Sequence, residues 1–153
     1  MHGYRRKSIL LVVKFPEQKP ILHYIYQKRS RYGETDKMGH VYHGHYLDYF
    51  EVARTEMIRE TGISYKELED DGIMLPVIHA EIDFKSPIFY DELMDIHVYM
   101  FEEPAVRLKT YYKIQTSRSS VPHIIGEVTL CFIDSNTRKP VRAPEYILDA
   151  IRK

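Results

Sequence analysis

The segment from Tyr46 to Gly62 most limits what this chain can fold into. Tyr46, Tyr49, Phe50, Ala53 and Met57 recur at steps of three and four, so they share one face of a helix. Asp48, Glu51, Thr55 and Arg59 share the other. One amphipathic helix cannot bury its own apolar stripe and needs a sheet to cover it. The rest of the chain supplies that sheet. Ile78, Ala80, Ile82 and Phe84 alternate with His79, Glu81 and Asp83, and Ile96, Val98 and Met100 alternate with His97, Tyr99 and Phe101. Val106, Leu108, Thr110, Tyr112 and Ile114 alternate with Arg107, Lys109, Tyr111 and Lys113, and Ile124 to Phe132 makes a fourth run. Period two over runs of this length predicts strands with distinct faces. Another strand is expected before the helix, over Ile21 to Arg31. The links Pro87 to Asp91, Glu102 to Pro104 and Ser117 to Pro122 are short, which predicts antiparallel neighbours.

Punctuation between these runs agrees with the pattern. Gly62 stands where the long helix would be capped. Ser64 and Glu67 form a capping-box pair that opens a shorter helix, which Gly72 closes. Pro144 opens a last helix running to Lys153. The expected architecture is α+β: a curved antiparallel sheet around a long central helix, one domain over residues 20–153 after an extension, 1–19, of unknown role. A sheet with only one face covered leaves its other side or its edge free. A homodimer or homotetramer is therefore expected.

Lys plus Arg equals Asp plus Glu at 22 each, so no bulk field draws the chain to nucleic acid. The single cysteine, Cys131, excludes an internal disulfide and fits a reducing compartment. Arg5, Arg6 and Lys7 precede the apolar run Ile9 to Val13, a pattern that begins like a signal peptide. The run is too short, ends at Lys14 and Pro16, and has no small-residue cleavage site after it. An extra strand or a dispensable extension is the expected reading, with no membrane span and a cytoplasmic location.

Chemistry concentrates in Arg31-Tyr-Gly-Glu-Thr-Asp36-Lys-Met-Gly-His40-Val-Tyr-His43-Gly-His45-Tyr46 and in the following Ala53-Arg54-Thr55-Glu56-Met57. Tyr32, Asp36, Gly39-His40-Val41, His43, Tyr46 and Ala53-Arg54-Thr55 resemble the signature of the 4-hydroxybenzoyl-CoA thioesterase-like hotdog family. The Ala-Arg-Thr-Glu-Met stretch is most similar to its Tol-Pal-associated bacterial acyl-CoA thioesterase branch. The resemblance runs from about Ile21 to about Phe132 and implies the same helix-in-sheet fold. It also implies metal-independent hydrolysis of acyl-CoA thioesters without a cofactor. By position, Asp36 stands where the family has its catalytic carboxylate. His43 stands at the amino end of the central helix, where a backbone N–H polarises the thioester carbonyl. Tyr32 matches a tyrosine counted with the site. An acyl carrier protein is a partner that the resemblance permits.

Elementary chemistry supports that arrangement. A helix amino end has unpaired N–H groups and a positive dipole end, which suit a developing oxyanion. A carboxylate just before it can attack the carbonyl or take a proton from water. Each residue also has a plainer reading. Asp36 can simply shape a glycine-rich loop, Tyr32 can pack, and Arg54 can pair with a buried carboxylate. His40, His43 and His45 resemble a metal cluster, but no acidic or thiol partner sits at a zinc spacing. For the CoA phosphates the candidates are Lys85, Arg107 and Lys109, although charged strand faces are often merely solvated. Two other functions remain open at this point: a non-catalytic acyl-CoA binder or sensor, and a hotdog acyl dehydratase.

Overall fold

The computed structural model describes residues 13–153. Most of the Ile9 to Val13 run lies outside the described residues. Five strands form one antiparallel sheet: β1 (Leu22–Arg29), β3 (Val77–Phe84), β4 (Leu93–Met100), β5 (Arg107–Gln115) and β6 (Ile124–Cys131), in the order β1-β4-β5-β6-β3. A small second sheet pairs β2 (Ile73–Met74) with β7 (Ile133–Asp134). The helices are α1 (His45–Glu60), α2 (Tyr65–Asp70) and α3 (Glu145–Arg152). This is the α+β arrangement expected, with one long helix against one face of an antiparallel sheet.

Helix α1 buries Tyr46, Tyr49, Phe50, Ala53 and Met57, the stripe read from the sequence. It meets Met94, Ile96, Val98 and Met100 on β4, Leu108, Tyr112 and Ile114 on β5, and Ile124, Val128 and Leu130 on β6. At the centre the Phe50 ring stacks on Tyr112, centroids 4.1 Å apart and planes 15° from parallel. Gly126 makes room for this contact. A Cβ there would meet Phe50 ring carbons at 2.4 and 2.6 Å. Full burial of a Phe side chain stabilises by about 1.5–3 kcal/mol, so this one stack fixes much of the helix's position. Past the helix end, Gly62 takes φ +94°, a left-handed conformation that suits glycine, and its N–H donates to the Arg59 carbonyl. The capping box opens α2 as expected: Ser64 Oγ accepts from Glu67 N at 3.3 Å, and Ser64 N donates to Glu67 Oε2 at 3.0 Å.

Arg54 is buried without a carboxylate. Its Nε donates to the Tyr65 hydroxyl at 2.9 Å and its Nη1 to the Tyr112 hydroxyl at 3.1 Å. The expected ion pair is thus replaced by two phenols that tie α1 to α2 and to β5.

One topological expectation fails. β3 and β4 are joined by a short link but are not neighbours, because β5 and β6 lie between them. The link crosses the sheet's end, and buried Ile88 fills the space below it. Its backbone is held by the loop before α1: Val41 N donates to Ile88 O at 2.8 Å, and Tyr90 N to Gly39 O at 3.0 Å. Residues 13–19 form no strand. Phe15 packs on the sheet's outer face, against Tyr99, Phe101 and Tyr111, at 5.6, 6.0 and 5.4 Å between centroids.

Gly126→Ala is expected to lower the unfolding free energy by about 1–3 kcal/mol, since the displaced ring is stacked and has no free side to move into. Urea denaturation of the two proteins measures it; equal midpoints would mean the ring relaxes freely.

Candidate active site

The loop between β1 and α1 is a compact scaffold. Tyr32–Glu34 form one turn of 3-10 helix. A tight turn follows, in which Gly39 N donates to Asp36 O at 3.0 Å and Asp36 N to His40 O at 2.7 Å. Gly39 takes φ +76° there, the left-handed conformation that the turn requires. Asp36 serves this loop directly. Its Oδ1 accepts from Met38 N at 2.8 Å and His40 N at 3.1 Å. The plain structural reading of Asp36 is therefore correct for one of its two oxygens. Oδ2 has no donor among the described residues.

Asp36 opens onto a cleft of about 320 Å3 that His40, His43, Tyr46, Phe84, Lys85 and Ser86 also line. At the head of α1, His45 N donates to Tyr42 O at 3.0 Å and Tyr46 N to His43 O at 3.4 Å. The His43 and Gly44 N–H groups have no acceptor among the described residues. They are the orphan donors that a helix start leaves, and His43 lines the cleft with Asp36. Burial pushes the Tyr46 hydroxyl up to about 12, and the charges of Asp36 and Glu92 add to that. At neutral pH Tyr46 is thus a neutral phenol and no base.

The expected site residues separate into two groups. Asp36, His43 and Lys85 come together in the cleft. Tyr32 belongs to the same loop, but the residue is 82% exposed, its ring stands edge-on to Tyr90 and it does not line the cleft. Arg107 and Lys109 line a different groove with Glu102 and Glu103, and Lys109 pairs with Glu127 at 3.7 Å. Among the described residues no three metal-ligating side chains converge; His45 turns to Asp48 instead. None of the carboxylates on α1, Asp48, Glu51, Glu56 or Glu60, lines the cleft. The sequence reading gave no part to Phe84 or Ser86. They reach the cleft because β3 ends there and the crossing link turns away, which no alternation pattern signals.

Residues 30–151 match the thioesterase-like superfamily. The chain belongs to that superfamily. It is 31% identical over 112 residues to YneP of Bacillus subtilis, provisionally named an acyl-CoA thioesterase, covering 73% of this chain and 80% of that one. It is 27% identical over 128 residues to a 1,4-dihydroxy-2-naphthoyl-CoA hydrolase of Synechococcus elongatus, covering 82% and 93%. The structure of a DHNA-CoA thioesterase from Staphylococcus aureus superposes with a TM-score of 0.76 at 35% identity, covering 83% of this chain and 85% of that one. The fold is the hotdog thioesterase fold, and the superfamily's general chemistry is hydrolysis of a thioester.

Because Asp36 Oδ1 holds two backbone N–H groups, side-chain shape matters here apart from charge. Asp36→Ala is expected to cost about 1–2 kcal/mol of stability, while Asp36→Asn, whose amide oxygen accepts the same two bonds, costs less than about 0.5 kcal/mol. Thermal and urea unfolding of the pair checks this; equal losses would argue against a structural part for Oδ1.

Proposed function

We propose that this protein is an acyl-CoA thioesterase in which Asp36 is the catalytic carboxylate. The observation that carries this reading is a cleft that Asp36, with its Oδ2 free, shares with His43, at the head of α1 where the His43 and Gly44 N–H groups have no acceptor among the described residues. In the reaction, Asp36 either takes a proton from the attacking water or attacks the carbonyl carbon itself. The carbonyl oxygen gains negative charge and accepts hydrogen bonds from the helix-head N–H groups. Such donors are worth about 3–4 kcal/mol in the barrier. The C–S bond then breaks and CoA leaves as its thiolate. No metal or cofactor takes part in this scheme.

His43 lines the cleft and can steer the water or the departing sulfur. Tyr32 is kept as a rim residue that reaches the substrate only by leaving Tyr90. Lys85 is the CoA-phosphate candidate within the Asp36 cleft, whereas Arg107 and Lys109 could join it only across an interface between copies. An open edge supports a homodimer. β3 ends the sheet, and its Val77, Ile78 and Phe84 are about half exposed. Pairing two β3 edges would cover them and close the side of the cleft that Phe84 lines. The Ala53-Arg54-Thr55-Glu56-Met57 stretch supports the finer reading, the Tol-Pal-associated branch and an aliphatic acyl group, and the buried free Cys131 is consistent with a reducing cytoplasm. The names of two relatives keep aromatic acyl groups in the same test.

Free-thiol release should be measured on aliphatic and aromatic acyl-CoA thioesters, with wild type and Asp36→Asn side by side. Turnover by wild type and a loss of at least ~10²-fold in the folded mutant is expected. Full activity in Asp36→Asn would remove the carboxylate assignment. Binding of acyl-CoA without thiol release would put a sensor or carrier-partner role in its place.

A further inference from the structure

Behind the cleft lies a line of hydrogen bonds that the scheme above does not use. His123, fully buried, ends the loop before β6. Its carbonyl accepts from Lys85 N at 2.9 Å and Ser86 N at 3.2 Å, which locks it against the end of β3. Its Nδ1 is 2.6 Å from Ser86 Oγ, and its Nε2 is 2.8 Å from Thr116 Oγ1. Ser86 also lines the cleft with Asp36.

Counting hydrogens sets the direction of this line. A neutral imidazole has one N–H and one bare nitrogen, and each hydroxyl has one hydrogen. One of the two hydroxyls must therefore donate to His123 and the other accept from it. Thr116 lies beside the Glu92 carboxylate, which can only accept and draws the Thr116 hydrogen. Thr116 Oγ1 then accepts from Nε2–H. Nδ1 is left bare, and the Ser86 hydroxyl donates to it. With its hydrogen turned inward, Ser86 can offer the cleft only lone pairs.

We infer that Ser86 is a working residue of the cleft: its Oγ accepts a hydrogen bond from the hydrolytic water and holds that water alongside Asp36. His123 and Thr116 are positioning residues that keep the Ser86 hydrogen out of the way. This rests on the hydrolase reading above.

The charged groups facing His123 are Arg118, from the loop before it, and Glu92, after the crossing link. They pair with each other at 2.9 Å. Burial lowers the His123 pKa below its ordinary value, Arg118 lowers it further, and Glu92 opposes them. The imidazole is accordingly neutral at pH 7. Protonation would put a hydrogen on Nδ1, force Ser86 to accept it, and turn the Ser86 hydrogen into the cleft. The acceptor offered to water would become a donor. Activity held by this device is complete above the His123 pKa and is lost as pH falls through it, in a window below ~6.5.

Two measurements test the inference. The first needs no substrate: the ring-nitrogen NMR shifts of His123 at pH 7.5, assigned by comparison with Ser86→Ala. The expected form is the Nε2–H tautomer; an Nδ1–H tautomer overturns the inference. The second is the pH profile of kcat. Ser86→Ala should lower kcat about tenfold or more, the worth of roughly one hydrogen bond in the transition state, with KM changed less than about twofold. The same mutant should lose the acid-side step at the His123 pKa. Ser86→Thr, which returns the hydroxyl, should recover most of kcat and the step. An active wild type with an unaltered Ser86→Ala profile overturns the part given to Ser86 alone. A wild type inactive on every thioester overturns the hydrolase reading and Ser86's part with it.

Discussion

The stack of Phe50 on Tyr112 over Gly126 is the contact on which the rest depends. It is made in the middle of α1, where the helix crosses the sheet, and so fixes how far along the sheet the helix sits. The N–H groups at the helix head keep a set place relative to the Asp36 carboxylate only if both segments are fixed. Here the stack fixes one and the turn at Asp36–Gly39 fixes the other. Arg54, bonded to Tyr65 and Tyr112, adds a polar tether to the same register. A guanidinium buried between phenols has no strong ion pair, but its planar donors meet the two hydroxyls only if helix and strand keep their alignment.

The second organising feature is the crossing from β3 to β4. Sheet order could have followed chain order, with a plain turn at Pro87 to Asp91. Instead the link passes the end of the sheet and is bonded to the loop that carries Asp36. The same few residues therefore close the core through Ile88, wall the cleft through Ser86 and Pro87, and brace the loop through the Ile88 and Tyr90 backbone.

Much of this was legible in the sequence because it is periodic. The Tyr46–Met57 stripe, the strand faces and the Ser64–Glu67 cap are local, and local rules found them. Of the residues expected at the candidate site, Asp36, His43 and Lys85 share one cleft. What the sequence hid is what pairing decides. Arg107 and Lys109 look as basic as Lys85, but strand order sends them to another groove. Tyr32 sits close to Asp36 in sequence, yet its turn of 3-10 helix faces its ring outward. His123 carries no local sign of its place behind Ser86, since the two are joined only by the pairing of β3 with β6. β3 itself has a core strand's alternation but is largely exposed, because period two reports faces and not neighbours.

The division of labour within Asp36 has an evolutionary consequence. One of its oxygens holds the loop and the other is free, so the residue that keeps the architecture and discards the free carboxylate is asparagine. Aspartate and asparagine codons differ by a single base. Under the proposed mechanism, a descendant gene would thus retire the chemistry in one step while its loop survives intact. Under the proposed role of Asp36, the identity of this one side chain would separate, in a lineage of such proteins, those that consume their ligand from those that only hold it.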